Sequence, residues 1–314
     1  MTRLGPGTRL TDTLTLVRVL GEGGMGTVWL AEHRTLGSAV AVKVMHGELG
    51  RRDPSLLERF AAEARAAARV RHPHIVQMLD HGTTEDGVAW LSMELLEGES
   101  LREALASGER SGRVLAGVVV RQTSRALAKA HAEGVVHRDL KPENLFLTEV
   151  DGEPFVKVVD FGIAKLTERA SGKTATSAVF GTAAYMSPEQ LRSTKSVDAR
   201  ADLWALAVVA YEVLTGHLPF EGETSAAIAM AVGLGEFAAP SSHDARLGPA
   251  VDAFFERAFA RHVSARFASA EELATAFAAA LDGEASRPSR VARTEYGAPA
   301  QASRRSRKPR EPRE

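Results

Sequence analysis

Val136-His137-Arg138-Asp139-Leu140-Lys141-Pro142-Glu143-Asn144, answered further along by Asp160-Phe161-Gly162, is the stretch on which the reading of this chain turns. Between the two, short apolar runs at residues 145–147 and 156–159 flank Asp151-Gly152, a dipeptide that favours a tight hairpin turn because its glycine takes positive φ without strain. The spacing predicts an antiparallel strand pair whose outer ends, Asn144 and Asp160, lie close together. Polar residues at such ends often serve only as turn formers and caps. The rest of the chain decides whether these do more.

Toward the N-terminus the signal is β-like, with strands predicted at 14–20, 27–31, 39–45 and 88–93. One helix is predicted at 54–70, opened by Asp53-Pro54, with Asp suited to cap and Pro to the first helical position. Gly21-Glu22-Gly23-Gly24-Met25-Gly26 joins the first two strands. Glycines between apolar runs commonly make a simple turn, and a dinucleotide fold would need the third glycine to open a helix. Here Thr27-Val28-Trp29-Leu30-Ala31 alternates as a strand does, so the loop reads as a hairpin lid whose backbone N–H groups can approach phosphate.

In residues 39–45 the period of two puts Ala41 and Lys43 on one face of the strand. A lysine between valines could be an edge-strand charge. The helix argues otherwise: Phe60, Glu63, Ala64 and Ala67 recur at three- and four-residue spacing, so Glu63 falls in an apolar stripe. A half-buried carboxylate requires a cation, and Lys43 is the candidate. After residue 99 the pattern turns helical, with helices predicted at 114–133, 197–215, 225–232, 249–261 and 270–281 and no internal repeat.

Taken together, the glycine loop, strand lysine, helix glutamate, His137-Arg138-Asp139 run and Asp160-Phe161-Gly162 resemble the eukaryotic-type serine/threonine protein kinases, particularly their bacterial members. The resemblance covers residues 14–281. It implies an α+β, bilobal protein-kinase fold, with a small β-rich N-lobe holding one main helix (14–93), a hinge at 94–98 and a larger α-helical C-lobe (99–281), preceded by an N-terminal extension (1–13). It also implies ATP with Mg²⁺ or Mn²⁺ as cofactor and protein substrates bearing Ser or Thr acceptors. Two metal ions bridging a triphosphate need oxygen ligands, which Asn144 and Asp160 can supply, while Asp139 can accept the proton of an attacking hydroxyl. Lys141 is then expected beside the transferred phosphate, with Lys43 and Glu63 completing the catalytic set.

By the same resemblance Leu20, Gly21, Glu22, Gly23, Gly24, Met25, Gly26 and Val28 cover the nucleotide. Ala41 and Phe146 join Val28 in sandwiching the purine, and Met93, Glu94 and Leu96 form the hinge that meets the adenine edge. Gly181-Thr182-Ala183-Ala184-Tyr185-Met186-Ser187-Pro188-Glu189 resembles the end of an activation segment, with Ser187 where Ala is usual. Glu189 is expected to pair with Arg266, Asp202 to brace the catalytic loop, and Thr182 to touch that loop through its hydroxyl. Arg138 beside Asp139 implies a phosphate switch on that segment, at Thr174 or Thr176. A binding module on the same fold would have lost one of Lys43, Glu63, Asp139, Asn144 or Asp160. A small-molecule phosphotransferase would have no use for the 181–189 segment.

The bulk composition agrees with a globular enzyme. The chain has 314 residues, 44% hydrophobic and 25% charged, with no cysteine, which excludes disulfides, thiolate metal sites and a cysteine nucleophile. Net charge is −1, but residues 283–314 carry nine Arg and Lys against four Glu, leaving the remainder near −6. The chain as a whole is therefore no nucleic-acid binder. Residues 282–314, rich in Arg, Ser and Pro, read as a disordered basic tail, either solvated linker or a site for an anionic partner. The apolar run 205–214 is interrupted by Glu212 and is half the ~20 residues a membrane span needs. Without a signal-peptide pattern at the start, a cytoplasmic protein is expected. Gly172-Lys173-Thr174 lacks the earlier glycine of a phosphate loop, since Thr167 stands there. His72-Pro73-His74 has no third ligand and reads as loop, and His137 reads as scaffold.

Overall fold

The structure, a computed structural model, describes residues 4–23, 26–46, 61, 64–65, 67–108, 112–161, 182–192 and 197–285. Glu63, Gly24, Met25, Thr174, Thr176, Gly162 and the tail beyond residue 285 lie outside them.

The small lobe is a five-stranded antiparallel sheet of β1 (Leu14–Gly23), β2 (Gly26–His33), β3 (Ser38–Met45), β4 (Met78–Thr83) and β5 (Ala89–Glu94), in the order β1-β2-β3-β5-β4. β3 obeys its period of two strictly. Val40, Val42 and Val44 pack with Leu14, Leu16, Trp29 and Trp90 on one face, while Ala41 and Met45 pack with Ala64, Val76, Leu91 and Met93 on the other. Lys43 shares the second face, which turns toward the large lobe. Residues 61, 64–65 and 67–69 are helical, with Ala64 and Ala67 buried as the predicted stripe requires and Arg65 exposed. The residues before β1 fold back on it: Leu16 N–H donates to the Thr8 carbonyl at 2.9 Å, and Leu10 joins the core.

β4 was not expected, because Leu79-Asp80-His81-Gly82 lacks β-forming residues. It is a strand because β5 supplies its partners, and Gly82 is needed there: a Cβ would meet the Trp90 ring at 2.8 Å. A second sheet, β6 (Glu99–Ser100), β7 (Leu145–Val150) and β8 (Glu153–Val158), holds the predicted hairpin, with Asp151 at φ 54 and Gly152 at φ 78 in its turn.

In the large lobe, α1 (Leu101–Ser107) was not expected either, nor were the short β6, Pro188–Arg192 and Pro240–His243 elements. The signature of α1 was present: Ser100 and Glu103 form a reciprocal capping box. Then follow α2 (Arg113–Ala132), α3 (Pro188–Arg192), α4 (Arg200–Thr215), α5 (Ser225–Leu234), α6 (Pro240–His243), α7 (Pro249–Ala258) and α8 (Ala270–Ala285). α4 contains the 205–214 run and is buried on every side from Ala201 to Leu214, making it the axis of the lobe. Each large side chain buried there, such as Trp204, contributes about 1.5–3 kcal/mol. α8 runs four residues past its expected end at 281, and Arg113 bonds the Leu281 carbonyl.

Candidate active site

The site forms where the hairpin ends meet the underside of the small sheet. The turn Pro142–Asn144 is a short 3₁₀ helix leading straight into β7, and Val159 N–H donates to the Asn144 carbonyl at 3.0 Å. Asn144 and Asp160 are thereby neighbours, as the spacing predicts. Asn144 Nδ2 donates to the Asp139 carbonyl oxygen at 2.8 Å and to its Oδ2 at 3.1 Å. Lys141 Nζ lies 3.0 Å from Asp139 Oδ2 and donates to Thr182 Oγ1 at 3.2 Å. One ammonium thus ties the Asp139 carboxylate to the expected activation segment.

Lys43, buried in β3, donates to Asp160 Oδ2 at 2.8 Å across the cleft. Burial alone would raise the Asp160 carboxyl. The Lys43 charge and hydrogen bond, helped by His137 and Lys141, outweigh it and hold the group below its ordinary range. Whether Lys43 also meets Glu63 falls outside the described residues.

Two left-handed residues shape the site. Arg138 has φ 66 and Asp160 φ 58, both costly for a side chain with a Cβ. Asp202 of α4, buried at the base of the loop, fixes the first: it accepts from His137 N–H at 2.8 Å, Arg138 N–H at 2.7 Å and His131 Nε2 at 2.8 Å. Gln190 Nε2 donates to the Arg138 carbonyl at 2.9 Å. His137 is fully buried, with Nε2 donating to the Val159 carbonyl at 3.0 Å and its ring on Phe161, which agrees with a scaffold role. The Arg138 side chain is exposed.

Above the site, Val28, Leu95, Leu96 and Val159 lie half-buried against Ala41 and Met93, an apolar roof and wall. Phe146 projects from β7 beneath Gly98, where a Cβ would meet its ring at 3.3 Å and the Leu147 carbonyl at 2.0 Å. Glu94 spends its N–H on the Gln77 carbonyl at 3.0 Å, and its Oε1 accepts from Lys157 Nζ at 2.6 Å. Leu20, Gly21, Glu22 and Gly23 form the exposed end of β1. A Cβ on Gly21 would touch nothing, whereas one on Gly26 would meet the Val44 carbonyl at 2.2 Å. Gly26 therefore serves strand packing, whereas a side chain at Gly21 would meet only open space.

Glu189 and Arg266 form the expected pair, at 2.9 and 3.2 Å, with the guanidinium lying over the Trp204 ring. Not anticipated from sequence is a cluster beside the loop: Arg102 of α1 bonds Glu143 Oε1 at 2.9 Å, Glu212 Oε1 at 2.7 Å and the Tyr185 hydroxyl. Nothing local marks these residues, since they come from four separate elements.

Among the described residues no group of three or more His, Cys, Asp or Glu could by itself hold a metal ion. Asn144 and Asp160 together offer hard oxygen donors, suited to a cation of the Mg²⁺ type that keeps waters and takes remaining ligands from phosphates. None of the described helices is long and apolar enough to cross a membrane.

The protein kinase domain family matches residues 14–277, and the chain belongs to that family. It is 44% identical to the serine/threonine-protein kinase Pkn1 of Myxococcus xanthus over 267 residues, covering 85% of this chain and 38% of that protein. It is 37% identical to the serine/threonine-protein kinase PknB of Mycobacterium tuberculosis, covering 88% of this chain and 44% of the relative. The chain thus spans less than half the length of these curated relatives. The crystal structure of the Mycobacterium tuberculosis PknI kinase domain superimposes with a TM-score of 0.69 at 28% identity, over 88% of this chain and all of that one.

Proposed function

We propose that this chain is a serine/threonine protein kinase that transfers the γ-phosphate of ATP, with Mg²⁺ or Mn²⁺, to Ser or Thr hydroxyls of proteins. The observation that carries the reading is the double attachment of Lys141, to the Asp139 carboxylate at 3.0 Å and to the Thr182 hydroxyl at 3.2 Å. It puts a proton acceptor and a cation together against the segment on which a peptide would lie. Small-molecule transfer would require neither that segment nor the Glu189–Arg266 anchor behind it.

Under this reading Asp139 accepts the proton of the incoming hydroxyl, and Lys141 offsets charge that develops as the phosphoryl group moves. Asn144 and Asp160 would hold the metal, which when bound neutralises phosphate charge and aligns the transferred group. Lys43 would orient the nucleotide phosphates, with Glu63 its second partner. Leu20 to Gly26 and Val28 would cover the nucleotide, and Ala41, Met93, Leu96 and Phe146 would enclose the purine. Arg138, exposed beside the catalytic aspartate, would receive a phosphate carried on Thr174 or Thr176 and order the segment by charge-assisted hydrogen bonds. Autophosphorylation, a cytoplasmic location and a flexible basic tail beyond residue 285 complete the reading.

The test is phosphate transfer from labelled ATP to a generic Ser/Thr peptide. Lys43→Met, Asp139→Asn and Asp160→Ala are each expected to fold and to cut incorporation about a hundredfold or more, since catalysis here is positioning and charge stabilisation. Normal turnover by any one of them, freed of contaminating kinase, removes that residue from the mechanism.

A further inference from the structure

Arg102 stands apart because one guanidinium joins four elements. From the first turn of α1 it reaches Glu143 in the catalytic-loop turn at 2.9 Å, Glu212 of α4 at 2.7 Å and the Tyr185 hydroxyl at the end of the 182–185 stretch. Tyr185 in turn donates to Glu212 Oε2. Glu143 precedes Asn144, which holds Asp139, and Tyr185 lies three residues past Thr182, which Lys141 holds against the same carboxylate. The 182–185 stretch is thus attached to the catalytic loop through Lys141–Thr182 and through the Arg102 cluster. Ser100, two residues before Arg102, pairs with Phe146 under the purine position, so α1 itself is fixed from the nucleotide side.

The charges make the arrangement directional. Two carboxylates face one cation, and Glu212 is nearly buried while Glu143 is half-exposed. Burial and the adjoining carboxylate push the Tyr185 phenol above its ordinary range, which keeps its proton available for Glu212. For Arg102, burial would favour loss of charge, but Tyr185, Glu212 and Glu143 hold it charged. Neither carboxylate can move far without leaving the guanidinium, so the loop turn and the 182–185 stretch keep one mutual spacing.

We propose that Arg102 is a positioning residue for the protein substrate: it holds the Tyr185 end of the peptide-facing segment at a set distance from the catalytic loop. The inference rests on the kinase reading above and goes beyond it in assigning control of peptide binding to a side chain engaged by Glu143, Glu212 and Tyr185.

The experiment measures KM for a generic Ser/Thr peptide and for ATP in the wild type, Arg102→Lys, Arg102→Met and the paired variant Arg102→Met/Glu212→Gln. Arg102→Met is expected to raise peptide KM about tenfold or more, the effect of losing charge-assisted bonds, while ATP KM stays within about twofold. Arg102→Lys should fall between, since it keeps the charge but not the fork. The paired variant leaves no stranded buried carboxylate, so it should melt near the wild-type temperature yet keep the raised peptide KM. A folded Arg102→Met or paired variant with wild-type peptide KM overturns the proposal. So does an equal rise in both KM values, or unfolding of both variants, each of which would make Arg102 a stability residue. A wild type that transfers no phosphate at all would instead refute the kinase reading itself.

Discussion

Replacing Asp202 by Ala should damage stability and catalysis together, by amounts the geometry sets. The carboxylate is 1% exposed and accepts two backbone N–H groups, from His137 and Arg138, and the His131 ring. Each donor stranded in a buried site costs about 1–3 kcal/mol, so with three of them Asp202→Ala should lose about 3 kcal/mol or more, a large share of a domain's ~5–15. Arg138 holds φ 66, which costs a residue with a Cβ about 1–2 kcal/mol, and the bond from its N–H to Asp202 is part of what keeps it there. Once released, the turn relaxes and carries Asp139 with it, and a displacement of about 1 Å at the reacting group lowers kcat about a hundredfold. Asp202→Asn retains one acceptor oxygen but turns an amide NH₂ toward the other donor, so it should fall between Ala and wild type. Urea unfolding gives the first quantity, and initial rates below the melting temperature the second. A loss under about 1 kcal/mol, or a folded Ala variant with kcat reduced less than about threefold, would show that Asp202 does not hold the loop.

Four further outcomes are expected. Arg266→Ala should destabilise the large lobe by about 3–5 kcal/mol in urea titration, because it strands Glu189 and uncovers the face of Trp204. His74 donates from Nδ1 to the Val156 carbonyl and is held below its ordinary 6.5, by burial first and then by Arg125, Lys157 and Arg121. The unfolded chain therefore binds the proton first, so stability should fall as pH drops below 6.5, and His74→Gln should flatten that limb of the stability profile. Asp160 is depressed, so the stability from its pair with Lys43 is present at neutral pH and lost only as pH falls through its lowered value; Asp160→Asn should remove that acid-limb loss. Thr174→Ala/Thr176→Ala should slow phosphorylation of a generic peptide relative to fully autophosphorylated wild type; equal rates, with no phosphate on either threonine, would leave Arg138 a structural residue.

The readings that survived intact were those with local physical causes. Alternation along a strand follows from the backbone itself, so Val40, Val42 and Val44 could be separated from Ala41, Lys43 and Met45 without knowing what lay on either side. Asp151-Gly152 required a hairpin because both residues tolerate positive φ, and the hairpin brought Asn144 beside Asp160. Locality also distinguishes α1 from β4. The Ser100–Glu103 capping box was written in consecutive residues and marked α1, whereas β4 had no signal of its own and exists through pairing with β5.

Tertiary structure alone decided which distant groups meet. Lys43 and Asp160 are 117 residues apart, and no periodicity encodes that the face of β3 bearing Lys43 would close on the hairpin end. The run 205–214, too short and too interrupted by Glu212 to span a membrane, became the axis of the large lobe, and Glu212 itself became a partner of Arg102 and Tyr185. The physical reason is range. Propensity, capping and alternation act over a turn or two, but a buried charge is tolerable only where a counter-charge from another element arrives, and packing of whole elements determines that arrival.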